Sequence, residues 1–222
     1  MNNLLSTLVI GSNNPIFSII WLHGLGADGY DLEPIVAELK FMNKKHTRFI
    51  FPHAPTIPVT INGGMVMPAW YDIAAPRIDA NQDEKGIRYS SAQINYLIDA
   101  EIERGIDSKN IVLAGFSQGG AIVLHTGLRY SKPLAGIMAL STYLLLDTSV
   151  SKEAAAANKD IFIFYAHGTH DPVIPISLAE MSKQFLTELG YNIDWHNYPM
   201  EHSVIPQEIN DISAWLDKIL SD

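Results

Sequence analysis

Several strand-like runs in this chain are apolar on successive positions, and no other feature restricts its fold as tightly. A strand wetted on one face alternates apolar and polar residues, whereas a strand covered on both faces, as in a parallel sheet, reads as an unbroken apolar run. Runs rich in β-branched and aromatic residues fall at Leu8–Ile10, Phe17–Leu22, Arg48–Phe51, Ile111–Gly115, Ala135–Leu140, Ile161–Ala166 and Ile193–Asn197. Helix-like segments lie between them, at Tyr30–Lys40, Asp83–Arg104, Gln118–Tyr130, Ser177–Leu189 and Pro206–Leu220. This alternation predicts an α/β fold, a mostly parallel central sheet with helices on both faces. The first two runs, separated only by Gly11–Ile16, predict an antiparallel hairpin at the sheet edge. With 222 residues, 47% of them hydrophobic, and no repeat or linker, residues 1–222 read as one domain with enough apolar material for its own core.

Composition removes several functions. The chain has no cysteine, so disulfides, thiolate metal sites and a cysteine nucleophile are excluded. Its 24 acidic and 15 basic residues give a formal charge of −9, and no basic run offers a surface to nucleic acid. No stretch approaches the roughly 18 uninterrupted apolar residues of a membrane span. The N-terminal residues lack the basic and apolar regions of a secretory signal, so a cytoplasmic protein is expected.

The chemistry begins at Gly115-Phe116-Ser117-Gln118-Gly119, which follows a strand and opens a helix. This is the G-x-S-x-G nucleophile elbow, where a tight turn lifts a serine hydroxyl above the sheet at a helix N-terminus. A bland alternative is a Ser/Gly turn capping the helix. A serine nucleophile requires a base and a group to orient it, and in this architecture they follow in the order acid, then histidine. Asp171 stands in a Pro-rich loop after the strand ending at Ala166, and His202 in the loop after the next strand. Both would emerge at the edge where Ser117 does. The Gly-rich segment Trp21–Asp28 follows the second strand, and the backbone N–H groups of Leu25 and Gln118 are the candidate oxyanion donors.

Taken together, "LHGLGAD", "FPHAP", "NGGMVMPAWYD", "GFSQGGA", "HGTHDPVIP" and "EHSVIPQEI" resemble, in this order and nearly end to end, the acyl-protein thioesterase and bacterial carboxylesterase (phospholipase/carboxylesterase) family of α/β-hydrolases. The resemblance implies a serine hydrolase cleaving carboxylic esters or thioesters, with lysophospholipids among the substrate classes. It implies Ser117 as nucleophile, His202 as base, Asp171 as its partner, and Leu25 and Gln118 as oxyanion donors, with no cofactor. Only 20 residues, Ser141–Asp160, separate two strands where many hydrolases insert a helical cap, so no large cap is expected.

The most apolar loop is Thr56–Ala69. Ile57, Val59, Ile61, Met65, Val66 and Met67, with Trp70 beyond, are candidate substrate-binding residues, suited to an acyl chain or to weak peripheral membrane contact. A surface hairpin packed on the domain is the plainer reading of that segment. Two rival functions stay open at this point. His167, His170, Asp171 and His202 offer a ligand set for a metal-dependent hydrolase, and the fold would also serve a non-catalytic acyl- or lipid-binding module.

Overall fold

The computed structural model of the protein describes residues 5–75 and 81–221. In chain order the elements are β1 (Thr7–Gly11), β2 (Phe17–Leu22), α1 (Gly29–Leu32), α2 (Ile35–Glu38), β3 (Thr47–Pro52), β4 (Thr56–Val59), β5 (Met65–Pro68), α3 (Glu84–Glu103), β6 (Ile111–Phe116), α4 (Gln118–Arg129), β7 (Gly136–Leu140), α5 (Asp147–Glu153), β8 (Phe162–Gly168), α6 (Ile176–Glu188), β9 (Ile193–Tyr198) and α7 (Pro206–Ile219). Seven strands form the main sheet in the order β1-β3-β2-β6-β7-β8-β9. All pairings are parallel except that of β1 with β3.

The unbroken apolar runs do what double-sided burial demands. Ile20, Leu22, Ile111, Leu113, Ile137 and Ile163 point into a core shared with α3, α4 and α6. Their immediate neighbours, among them Ile19, Trp21, Val112, Met138 and Phe164, point into a second core closed by α1, α2 and α7. Side chains alternate along a strand, so one run of successive apolar residues feeds both layers.

The expected hairpin of the first two runs is not formed. β3 lies between them, antiparallel to β1 and parallel to β2. The six-residue connection does not turn back on itself. The amides of Ser12 and Ile16 donate to the carbonyls of Thr47 and His46 at 3.0 and 2.9 Å, so the connection crosses the start of β3. Gly11 makes the crossing possible: its φ is +100°, and a Cβ there would lie 2.4 Å from the Thr47 oxygen. The predicted helix over 30–40 is two short turns, because Pro34 interrupts it and serves as the N-cap of α2. The longer helices hold closely to expectation. Asp83 caps α3 by accepting the Gly86 N–H, and Pro206 occupies the first turn of α7.

Two connections matter for the site. The segment 141–160 holds only α5 and a short 3-10 turn, and no large cap. The apolar loop is a two-stranded hairpin, β4 with β5, turned through Gly63 and Gly64, which have φ of +67° and +79°. Among the described residues, no helix is long and apolar enough to cross a membrane.

Candidate active site

The turn from β6 into α4 is forced by close packing. A Cβ on Gly119 would lie 2.4 Å from the Leu22 carbonyl oxygen, and one on Gly115 would lie 2.4 Å from the Gly119 carbonyl carbon. Only with hydrogen at both positions can the helix start so near the sheet. Ser117, between them, is held at φ 54°, ψ −121°, a left-handed conformation that costs a non-glycine residue on the order of 1–3 kcal/mol. Its amide donates to the Leu140 carbonyl at 2.9 Å, and its carbonyl accepts the Thr142 hydroxyl at 2.7 Å. The end of β7 thereby clamps the strained residue.

Asp171 and His202 arrive from the ends of β8 and β9, whose loops stay joined beyond the strands. The amides of Thr169 and His170 donate to the carbonyls of Tyr198 and Met200 at 2.8 and 3.1 Å. The carboxylate of Asp171 accepts the N–H groups of Val173 and Ile174 on Oδ1, each at 2.8 Å. Its Oδ2 accepts the His202 Nδ1–H at 2.6 Å. That bond fixes the tautomer, leaving Nε2 to accept the Ser117 hydroxyl at 2.9 Å. The imidazole also rests on the Phe116 ring, centroids 4.7 Å apart.

Two further histidines buttress the arrangement. His167 is wholly buried and donates from Nε2 to the Ile174 carbonyl, tying the acid loop from beneath. His23 donates from Nδ1 to the Gly24 carbonyl at 2.7 Å and accepts the Ala54 N–H on Nε2 at 3.0 Å, which fixes the Gly-rich loop. Burial is the main cause lowering the pKa of each, so both are neutral props. Leu25, carried on that loop, and Gln118 have backbone N–H groups with no protein acceptor among the described residues.

Two cavities meet at the Ser117 hydroxyl. One, of about 260 Å³, runs past Leu25 and Gln118 towards Ile61, Tyr71, Tyr143 and Leu145. The other, of about 470 Å³, opens on the His202 side between Leu32, Ile35, Phe116 and Val204. Leu25 and Val173 border both.

The family model for phospholipase/carboxylesterase matches residues 8–220. The chain belongs to this family. It is accordingly a serine hydrolase acting on esters. The chain is 42% identical to acyl-protein thioesterase 1 of Neurospora crassa over 212 residues, covering 91% of this chain and 86% of that protein. It is 40% identical to acyl-protein thioesterase 1 of Cryptococcus neoformans, covering 91% and 92%. Among solved structures, Arabidopsis thaliana SOBER1 superposes with a TM-score of 0.88 at 32% identity, covering 92% of this chain and 99% of that one. Zea mays acyl-protein thioesterase 2 superposes with a TM-score of 0.86 at 26% identity, covering 97% and 99%.

Within this family member the sequence-predicted substrate residues separate into three groups. Ile61 borders the smaller cavity. Val59 is wholly buried, Ile57 and Met67 are half-buried, and Met65 and Val66 are exposed at the hairpin tip. Trp70 is buried and lines neither cavity. Its indole N–H donates to the His23 carbonyl at 2.8 Å, and its backbone carbonyl accepts the Ser90 hydroxyl. It is a strut joining the Gly-rich loop to α3.

Sequence reasoning missed the role of the Gln118 side chain and missed Glu208 altogether. The Gln118 side chain accepts the Trp70 N–H at 2.7 Å and donates to the Tyr71 carbonyl at 2.8 Å, fastening the elbow to the wall of the smaller cavity. Glu208, in the first turn of α7 just beyond the His202 loop, is wholly buried, and neither carboxyl oxygen has a partner among the described residues. Burial above all, with Asp211 adding, pushes its pKa from 4.5 up to about 8. The Ile205 N–H favours the charged form without closing a hydrogen bond.

The rival metal ligand set is not gathered. Among the described residues no three His, Asp or Glu side chains are grouped to hold a metal ion. His170 is exposed, and Asp171 is engaged by His202 and two amides.

Proposed function

We propose that the protein cleaves carboxylic esters and thioesters by two-step acyl transfer on Ser117, with His202 as general base, Asp171 as its orienting acid, and the N–H groups of Leu25 and Gln118 as oxyanion donors. The observation that carries this reading is the imidazole of His202 bridging Ser117 at 2.9 Å and Asp171 at 2.6 Å. Nε2 takes the hydroxyl proton as Oγ attacks the carbonyl carbon, and the Asp171 carboxylate stabilises the imidazolium that forms. The negative charge passing to the carbonyl oxygen falls between two N–H donors that need no reorganisation. His202 returns its proton to the departing thiol or alcohol, and water then repeats the attack on the acyl-enzyme.

Because His202 must reach the leaving atom, the larger cavity on its side receives the leaving group. The smaller cavity, apolar at Ile61, Leu145 and Val173, receives the acyl chain. We favour S-acylated proteins over lysophospholipids and small esters as substrates: the named relatives are acyl-protein thioesterases, and the leaving-group side is an open cleft. Such substrates lie on membranes. Met65 and Val66, on a glycine turn with no charged neighbour in the hairpin, suit weak peripheral contact with a lipid surface from the cytoplasm. Residues 1–222 act as one α/β-hydrolase domain in this reading.

The decisive test is a fluorophosphonate probe. Labelling is expected at Ser117, and Ser117→Ala is expected to abolish labelling and hydrolysis of a p-nitrophenyl ester, with EDTA without effect. Undiminished turnover in Ser117→Ala overturns the reading, and turnover lost to EDTA and restored by zinc revives the metal-dependent alternative.

A further inference from the structure

One pair of side chains interrupts the apolar wall of the smaller cavity. Tyr71, three residues beyond β5, and Tyr143, three residues beyond β7, both line it, and their hydroxyls meet at 2.9 Å. Tyr71 is 3% exposed and Tyr143 is half-buried. Two phenols carry two O–H donors, and the bond between them uses one, whichever ring gives it. Among the described residues neither hydroxyl has a further partner, so one O–H is left over. Burial above all raises both phenols above the ordinary tyrosine pKa, and the surplus proton is therefore present at neutral pH.

The other polar groups along this cavity are engaged or wet. Asp72 accepts the Thr60 N–H at 2.7 Å on one carboxylate oxygen and the Thr60 hydroxyl at 2.6 Å on the other, and Gln82 accepts the Leu146 N–H at 2.8 Å. Asn62 and Asn81 are exposed to solvent. The phenols also stand at a fixed place relative to the nucleophile. The Tyr71 carbonyl accepts the Gln118 side-chain amide at 2.8 Å, and Thr142, next to Tyr143, donates to the Ser117 carbonyl. A wall that had only to touch hydrocarbon would be served by phenylalanine, which has the same ring and no donor to strand. An alkyl chain laid over an unpaired O–H takes away the hydrogen bond that water would give it and supplies none in return. Taking as its basis the reading above, in which this cavity receives the acyl chain, we propose that Tyr71 and Tyr143 together select acyl chains that carry an acceptor oxygen, an oxo or hydroxy group, at the position that meets the surplus O–H. Because the pair is fixed relative to Ser117, it reads how far that oxygen lies from the scissile carbonyl.

The test uses octanoyl thioesters of one small thiol, with a keto oxygen at C4, C5, C6 or C7 of the acyl chain, beside plain octanoyl. The keto isomers match in size and polarity, and dividing each rate by its uncatalysed rate removes differences in reactivity. The wild-type protein is expected to favour one isomer over the others by about tenfold in kcat/KM. Tyr71→Phe combined with Tyr143→Phe removes both hydroxyls. It should bring the isomers within about twofold of one another and lower the favoured one relative to plain octanoyl. Both readouts are ratios within one preparation, so a loss of folded protein cancels. Equal kcat/KM across the isomers in the wild-type protein, or a positional preference that survives the double substitution, overturns the proposal and leaves the pair as a strut in the wall. Failure of the underlying reading is distinguishable. Loss of the serine mechanism would abolish labelling at Ser117 and hydrolysis of every isomer, and an exchange of the two arms would move the preference to keto groups placed in the thiol.

Discussion

Glu208→Gln should stabilise this protein, and by an amount that depends on pH. The folded state holds the carboxyl without a hydrogen-bond partner and raises its pKa from 4.5 to about 8, whereas the unfolded chain restores the ordinary value. The folded state therefore binds the proton more tightly. Its stability is greatest below pH 4.5 and falls as pH rises through the interval to about 8, where the unfolded chain gains by ionising and the folded one does not. At about 1.4 kcal/mol per pH unit, the interval from 4.5 to about 8 corresponds to a loss of roughly 5 kcal/mol, an upper bound if the protein relaxes around the charge. Glutamine has nearly the same shape and no such titration. Urea unfolding of both proteins at pH 5, 6.5 and 8 should show a small difference at the lowest pH, widening in favour of glutamine by a few kcal/mol at the highest. Other titrating groups are common to both chains and cancel. A difference that stays constant with pH would refute the reasoning, for it would mean that Glu208 is ionised and accommodated at neutral pH.

Other perturbations act on the site itself. Asp171→Asn should leave unfolding cooperative but lower kcat by up to about 10⁴-fold, as expected when the imidazole loses the acceptor that fixes its tautomer; near-normal turnover would assign the orienting role elsewhere. Gly119→Ala places a methyl 2.4 Å from the Leu22 carbonyl oxygen and should depress both stability and fluorophosphonate labelling, read by thermal melting and probe intensity. Replacing Met65 and Met67 with serine should reduce turnover of long-chain esters more than short ones and weaken sedimentation with liposomes at high salt. Equal losses on short and long chains, with liposome binding unchanged, would make the hairpin plain scaffold.

The parts of this molecule that local patterning governs are legible in its sequence. Apolar runs such as Ile111–Ala114 specify burial on both faces, and Gly115, Gly119 and the order Ser117, Asp171, His202 follow from what an elbow must avoid and what a serine must have nearby. Non-local choices were not legible. Whether β1 pairs with β2 or β3 depends on hydrogen bonds from Ser12 and Ile16 to a segment some 35 residues away, and a short connection looks the same in either case. The part played by Trp70 is hidden in the sequence for a related reason. An aromatic residue near a pocket and an aromatic strut behind it have the same sequence signature, and only its bonds to His23, Gln118 and Ser90 tell them apart. Glu208 carries no pattern at all: a glutamate in the first turn of a helix is the commonest of surface residues, and its burial emerges only when α7 is laid on the sheet.

The left-handed backbone of Ser117 has a consequence for how such chains drift. Glycine adopts that conformation freely, so a descendant relieved of any need to hydrolyse its ligand would gain stability from a single serine-to-glycine change at the elbow. The surrounding clamp from Leu140 and Thr142 would survive, and so would both cavities. Stability alone thus gives no reason to keep a side chain at this position, and a chain that keeps one is being held to the task of using it. A relative with glycine there would be recognisable as a hydrolase turned carrier, gripping at two arms a ligand that it no longer cuts.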